Sequence, residues 1–425
     1  MIDIQRIRED PEAVKEAIAT LGAEAPIDEI VNLDLKRRKL LQELEGLRQG
    51  KNETSERIGR MEPGDERQGL IDSMSGVNAR IKALESALRG NEDALQRAMY
   101  EVPNLPDASV PVGADESENV VLREEGRLRK FDFEPLPHWD LGPELGILDF
   151  ERGVKLSGSR FYILKGAGAK LQRALIQWML DLHVSDHGYT EIYPPAIVKE
   201  QCMWGAGQLP KFADNIYRDV EDDLWLVGTA EIPLTNLHRD EILEAEDLPI
   251  SYVAYTPCFR REKFSGGRDV RGIKRGHQFD KVEMYKFILP EESYAALEQI
   301  LEHAAAVCRA LEIPYRVVQM VTGDLGFTAA KKYDLELWAP GSEEWLEVSS
   351  VSNCEAFQAR RTHIRFRREK GAKPEYVHTL NGSGLALPRT LIAVLENYQQ
   401  ADGSVIVPDV LRPYMGGMER IALEN

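Results

Sequence analysis

The chain is poor in cysteine: Cys202, Cys258, Cys308 and Cys354 stand roughly fifty residues apart and form no CxxC pair. That spacing excludes a dense disulfide scaffold and lacks the paired ligands of a structural zinc site, so a reducing compartment is expected. No run of about 18 apolar residues is present to cross a bilayer. The opening residues, MIDIQRIREDPEAV, carry acids at once and lack the apolar core of a secretory signal, which predicts a cytoplasmic protein. A βαβ repeat with a GxGxxG turn is missing too, which argues against a dinucleotide-binding fold. Basic residues are outnumbered, 53 Lys and Arg against 71 Asp and Glu, for a formal net charge of -18. Such a balance argues against a surface coated in nucleic acid but leaves room for a local basic cleft.

What is present divides into two halves. With 425 residues and 43% hydrophobic content, the chain can fill more than one core. In the first hundred residues Leu70, Val77 and Leu84 repeat at seven, and Met74, Ile81, Leu88 and Leu95 form a second series offset by four. Upstream, Leu33, Leu40 and Leu47 repeat likewise, with Leu44 and Ile58 in the other series. Two such stripes, separated by Met61-Glu-Pro-Gly-Asp65, predict an antiparallel helical coiled-coil hairpin. A solvated structural hairpin, an RNA-contacting arm and a protein-binding arm all fit its mixed charge.

The prolines of Val102-Pro-Asn-Leu-Pro106 and the acidic stretch after them mark a boundary, giving domains 1–105 and 106–425. Beyond it the pattern turns to short strands and separate helices. Helices are expected over Leu171–Val184 and Glu291–Leu311, and strands over 224–227, 252–259, 282–288, 335–338, 345–351 and 376–381. The fold class is therefore α+β: the helical arm, then a mixed, mainly antiparallel sheet flanked by helices.

Against the acidic background, residues 258–279 hold Arg260, Arg261, Lys263, Arg268, Arg271, Lys274 and Arg275 with only Glu262 and Asp269 to offset them. A guanidinium at the end of a strand grips phosphate oxygens well, although a solvent-facing charged hairpin or a nonspecific RNA contact gives the same composition. Arg389 precedes an apolar helix and suits either a phosphate or a helix start. Apolar alternation in Trp345-Leu-Glu347-Val-Ser-Ser350 predicts that Glu347 and Ser349 share a face. Glu347 and Ser350 are candidate magnesium ligands, against the alternative of a surface carboxylate. Thr229-Ala230-Glu231 offers a hydroxyl and a carboxylate to a small cation, or a helix cap. Phe279 suits adenine stacking or a core position, and Glu283 suits an ammonium group.

In order along the chain, Thr229-Ala-Glu231, FRRE at 259–262, GRDVRG at 267–272, HQFDKVE at 277–283, EVSS at 347–350, SNCEAFQARR at 352–361 and LNGSGLALPRT at 380–390 resemble the bacterial-type seryl-tRNA synthetases, which are class II synthetases. Each motif is short, but they coincide in order, and the helical arm, the linker and the motif-bearing block also follow one another as in that family, so the resemblance covers essentially the whole chain. The resemblance implies ATP-dependent activation of L-serine to seryl-adenylate and its transfer to the 3'-terminal adenosine of tRNA(Ser), and of tRNA(Sec) where that exists. It implies ATP contacts from Arg260 (α-phosphate), Arg261, Glu262, Phe279 (adenine) and Arg389 (γ-phosphate), with Glu347, Val348, Ser349 and Ser350 forming the motif that carries Mg2+ through Glu347 and Ser350. Arg260, Arg389 and Glu347 then serve the chemistry, while Thr229, Ala230, Glu231, Glu283 and Ser383 bind serine. It also implies a homodimer, with Gly188–Pro195 at the interface and the arm of one subunit serving the other's tRNA. Lys263-Phe264 and Leu387-Pro388 depart from the family pattern, which favours small residues at the first place and glycine before the arginine at the second. A carrier-protein ligase and a catalytically silent RNA-binding relative are the rival readings.

Overall fold

The computed structural model describes residues 1–263 and 271–423. The chain divides into two compact units, one of Ile2–Ala19 with Ala23–Pro103, the other of Met1, Thr20–Gly22 and everything from Asn104 onward.

The first unit holds α1 (Ile4–Glu9), α2 (Pro11–Thr20), α3 (Ile27–Arg60) and α4 (Asp65–Tyr100). At 1.5 Å per residue the two long helices run for ~50 Å. Leu44, Ile81 and Leu84 are buried in the seam, with Leu40, Leu47, Val77 and Leu88 packed against them, as the heptads require. Cross-helix ion pairs Arg37–Glu92 (2.9 Å), Arg48–Glu85 (2.8 Å) and Arg57–Glu66 (2.9 Å) advance along α3 while retreating along α4, so the helices are antiparallel. At the base, Arg8 clasps the buried Asp34 with two hydrogen bonds of 2.7 and 2.6 Å. That clasp, with Arg38 nearby, holds the Asp34 carboxyl below its ordinary pKa.

The second unit is built on an eight-stranded sheet. Its strands, in chain order, are β1 (Val120–Glu125), β2 (Thr190–Ile192), β3 (Ile250–Phe259), β4 (Gln278–Ile288), β5 (Tyr315–Gln319), β6 (Lys331–Ala339), β7 (Glu344–Asn353) and β8 (His378–Ala386). Their spatial order is β1-β5-β6-β7-β8-β4-β3-β2, antiparallel except for the parallel β2–β3 pair. Four helices matter to the site: α5 (Ala167–Ser185), α6 (Glu231–Thr235), α7 (Ser293–Ala310) and α8 (Leu387–Tyr398).

Period-two alternation sends Val282 and Met284 of β4 and Val351 of β7 into one core with Leu171 and Leu175 of α5, Ile300 of α7 and Leu391 of α8. Those helices cover one face of the sheet. On the opposite face Phe279, Lys281 and Glu283 of β4 and Asn381 and Ser383 of β8 border a cleft.

One expectation from the sequence is overturned here. Ser349 does not share a face with Glu347. On β6, Leu335 pairs with Ser349 and Glu336 with Glu347, which leaves Val348 as an extra residue in β7. This bulge resets the alternation. Glu347 and Ser350 consequently line the cleft, while Ser349 is buried.

Candidate active site

The cleft has a cavity of about 420 Å³, and its two ends differ in chemistry. At the first end, carboxylates and hydroxyls gather. Thr229 Oγ1 donates to Glu283 Oε2 at 3.1 Å, and Lys281 Nζ pairs with the same carboxylate. Glu231 opens α6, and its Oε1 accepts from Gln358 Nε2 at 2.6 Å and from Asn381 Nδ2 at 3.1 Å. Burial, then the nearby Glu283, pushes the Glu231 carboxyl up to about 7, against the pull of Lys281. Thr229 and Glu283 are buried beside it, as is Ser383. Two carboxylates with a single internal ammonium make a pocket suited to one further small cation that also carries hydroxyl-bonding groups.

Arginines dominate the second end. Arg260 follows β3, donates from Nε to the Gly228 carbonyl at 3.2 Å and sets its guanidinium carbon 5.3 Å from the Phe279 ring centre. Arg389 stands in the first turn of α8 and donates from Nη1 to the Glu347 carbonyl at 2.6 Å. Desolvation pushes the Glu347 carboxyl up, but Arg389 and then Lys332 outweigh it, so it stays below the ordinary carboxylate range. Glu262, in the left-handed region at φ 50°, borders the cleft with Arg275, whose Nη1 lies 3.8 Å from Glu262 Oε2. Guanidinium forks against an acidic pocket fit a ligand that joins phosphates to an ammonium-bearing group.

Both parts of the chain match known families. The model described as the tRNA synthetase class II core domain (G, H, P, S and T) matches residues 212–398, a span that holds the cleft arginines and carboxylates just described. The Seryl-tRNA synthetase N-terminal domain model matches residues 1–106. A Serine--tRNA ligase of Roseiflexus castenholzii is 62% identical over 422 residues, covering 99% of each chain. The chain belongs to the seryl-tRNA synthetase family. Among solved structures, the seryl-tRNA synthetase of Pyrococcus horikoshii complexed with ATP shares 39% identity over 100% of both chains, with a TM-score of 0.93. The cytoplasmic serine-tRNA ligase of Naegleria fowleri in complex with AMP shares 31% identity over 100% of this chain and 99% of that one, with a TM-score of 0.88.

Within this seryl-tRNA synthetase scaffold, Thr229, Glu231, Arg260, Glu262, Phe279, Glu283, Glu347, Val348, Ser350, Ser383 and Arg389 all border the one cleft. Three residues singled out from the sequence do not. Ala230 is buried at the start of α6, between the two neighbours that reach the cleft. Arg261 turns to a separate depression, donating from Nε to the Ile216 carbonyl at 3.0 Å and lying 4.4 Å from the Tyr217 ring centre. Ser349 points inward, as the bulge dictates. Lys281, Asn381, Gln358 and Lys332 were missed. Lys281 sits midway between Phe279 and Glu283, and Asn381 two before Ser383, so alternation alone points to both. Gln358 reaches Glu231 from a helix far along the chain, and nothing local signals it.

Pro388 occupies the first turn of α8, where the absent amide hydrogen has no helical partner to lose. That departure from the family pattern therefore leaves Arg389 in the cleft. The other departure falls partly outside the described residues: Lys263 is described and Phe264 is not, and Gly266, Gly267, Arg268 and Asp269 lie outside as well.

Proposed function

We propose that this chain uses ATP to activate L-serine and passes the serine to the 3'-terminal adenosine of tRNA(Ser), and of tRNA(Sec) where that tRNA occurs. One observation carries the reading: a buried Thr229–Glu283–Glu231 pocket and the guanidinium groups of Arg260 and Arg389 open into the same cleft. The names of the relatives support it, as does the ATP in the Pyrococcus horikoshii protein and the AMP in that of Naegleria fowleri.

Serine's ammonium is placed against Glu231 and Glu283, and its hydroxyl near Thr229 and Ser383. A carboxylate oxygen of serine attacks the α-phosphorus, the bond to the β-phosphate oxygen breaks, and pyrophosphate leaves with seryl-adenylate retained. Arg260, held over Phe279, compensates charge at the α-phosphate, and Phe279 offers its other surface to adenine. Arg389 orients the outer phosphates. In the second step the 3'-hydroxyl of the terminal adenosine attacks the activated carbonyl, and AMP leaves. No protein nucleophile is required.

Magnesium suits the residues present. The described residues contain no group of three or more His, Cys, Asp or Glu side chains able to hold a metal. Mg2+ takes few protein ligands and completes its shell with water and phosphate, so the Glu347 carboxylate and Ser350 hydroxyl on one bulged strand would hold it. When bound it neutralises phosphate charge. The helical hairpin is assigned as a tRNA-holding arm, residues 1–105, beside a catalytic domain over 106–425, in a cytoplasmic homodimer whose interface includes Gly188–Pro195. No described helix is long and apolar enough to cross a membrane.

The test supplies serine, ATP and magnesium with and without tRNA. Serine-dependent pyrophosphate exchange together with serylated tRNA is expected. Exchange without charging favours a carrier-protein ligase, and loss of both favours a silent RNA-binding relative.

A further inference from the structure

Between Ser383, at the serine end of the cleft, and Arg389, at the phosphate end, β8 leaves its regular ladder. Ser383 pairs with Glu283 and Ala386 with Lys281, so Gly384 and Leu385 together oppose Val282. Backbone groups that lose ladder partners inside a core need others. Here side chains from two other elements supply them. Ser349 Oγ donates to the Ser383 carbonyl at 2.5 Å, His183 Nε2 donates to the Gly384 carbonyl at 3.0 Å, and the Leu385 amide donates to Met179 Sδ at 3.2 Å. Met179 and His183 are four apart and so share one face of α5. His183, Ser349, Met179 and Leu385 are all buried. A Cβ built on Gly384 would lie 2.5 Å from His183 Nε2, so the approach of the ring requires glycine.

The ring's protonation follows from its partners. A carbonyl only accepts, so Nε2 carries hydrogen. Burial lowers the His183 pKa to about 4, with His187 adding to the effect, so the ring is neutral at pH 7. Nδ1 is then an acceptor, and His187 Nδ1, 2.9 Å away, is its donor.

We propose that His183 and Ser349 are positioning residues for serine activation: acting through the carbonyls of Gly384 and Ser383, they fix the irregular segment that presents Ser383 to serine. This rests on the function proposed above. Ser349 thereby acquires a role although it faces away from the cleft. Arg389 has its own anchor on Glu347, so the effect falls on serine more than on ATP.

The test compares His183→Leu, which removes the donor, with His183→Gln, whose side-chain amide keeps one, in the full chain. Losing a hydrogen bond that orders a binding segment should raise the KM for serine roughly tenfold in His183→Leu, with the KM for ATP within about threefold of wild type. His183→Gln should restore the serine KM to within about threefold. Hydrogen–deuterium exchange over residues 380–389, measured without substrates, should quicken roughly tenfold in His183→Leu and return in His183→Gln. A folded His183→Leu variant with wild-type serine KM and wild-type exchange overturns the proposal, as does a His183→Gln variant as impaired as His183→Leu. If His183→Leu does not fold, Ser349→Ala decides: a serine-selective KM rise upholds the proposal, and unchanged kinetics and exchange overturn it. If the unmodified chain shows no serine-dependent activity, the proposed function fails. The substrate-free exchange of the variants still decides whether the segment is anchored as described.

Discussion

Arg389 and Glu347 meet twice: the guanidinium Nη1 donates to the Glu347 carbonyl at 2.6 Å and lies 3.2 Å from its carboxylate Oε2. The first contact ties α8 to β7 through the backbone, where no change of side chain at 347 can remove it. The second, together with Lys332, offsets the repulsion between this carboxylate and Asp334 of the adjacent strand β6, whose carboxyl burial raises to about 7.

From this pair, Arg389→Ala is expected to lower the kcat of pyrophosphate exchange by about 10²–10³, the range for removing a preformed cationic or donor group from a reaction centre. Glu347→Gln keeps the backbone bond to Arg389 but loses the carboxylate charge. Its defect should therefore be partly relieved by raised magnesium, which titration of exchange rate against magnesium reads out. A Glu347→Gln enzyme indifferent to magnesium concentration would remove Glu347 from that role.

Thr229→Ala deletes the hydroxyl that donates to buried Glu283 at 3.1 Å. Hydrogen bonds to charged groups contribute about 1.5–3 kcal/mol, which predicts a serine KM raised about ten- to hundredfold. The function proposed above puts ATP at the other end of the cleft, so its KM should hardly move. Steady-state exchange with each substrate varied in turn checks this, and equal shifts for both substrates would contradict the assignment.

Glu231 predicts a pH dependence. Its pKa is raised to about 7 in the substrate-free chain, by burial first and Glu283 second. An ammonium ligand favours the ionised carboxylate, so a proton competes with serine below that value. Serine affinity should fall by up to about tenfold per pH unit as pH drops below 7, and level off above it. The group takes up a proton more readily in the folded chain than its ordinary carboxylate value allows. Its contribution to the folded state is therefore complete below about 4.5 and is lost as pH rises from there through 7. Glu231→Gln should weaken serine binding at pH 8 and flatten the profile, as isothermal titration across pH 5.5–8.5 would report.

Much of this site was legible in the sequence, and for a physical reason. Arg260, Phe279 and Glu283 stood out by residue type at or beside expected strands, Thr229 by its place in a short turn after one, and Ser383 through the family resemblance; period-two alternation then puts Phe279 and Glu283 on one face. Ser349 was misplaced because a bulge is a property of a strand pair: Val348 is extra only relative to β6. Arg261 was misplaced because nothing in a run of adjacent arginines says which one turns into the cleft. In the first unit the heptads gave the hairpin, but they also hid a polar residue within their own series.

That residue is Asn91, seven places after Leu84. It is 4% exposed, its Nδ2 donates to the Leu33 carbonyl of the facing helix at 2.9 Å, and its Oδ1 has no partner. A buried polar residue at a seam position fixes register at a cost in stability. Asn91→Leu should accordingly raise the stability of the hairpin by about 1–2 kcal/mol in chemical denaturation while loosening its alignment. Lower stability in this variant would mean that the bond to Leu33 outweighs the burial of the amide.

The length of the hairpin supplies the last prediction. Within the first unit its far end holds exposed cross-helix ion pairs such as Arg57–Glu66 and Arg80–Glu43, which contribute little each. The base is secured differently, by the Arg8–Asp34 clasp and by buried Ile27, Ile30, Leu95 and Met99. Removing residues 44–81 and closing the helices with a short Gly-Ser turn therefore takes Leu44 out together with its seam partner Ile81 and leaves the base intact. The cleft residues all belong to the other unit, so serine-dependent pyrophosphate exchange should stay within about twofold of wild type. Charging should fall by about a hundredfold or more, because recognition of tRNA shape and phosphates draws on many dispersed contacts along the arm. Exposed Lys82, Arg89 and Arg97 lie on α4, and only Arg89 and Arg97 survive the deletion if the turn replaces Lys82 as well. Restoring lysine to the shortened arm should then recover little charging if reach is what matters and much of it if charge alone does. Equal loss of exchange and charging in a folded variant would show that the hairpin supports the catalytic unit and does not serve as a separate tRNA-holding arm.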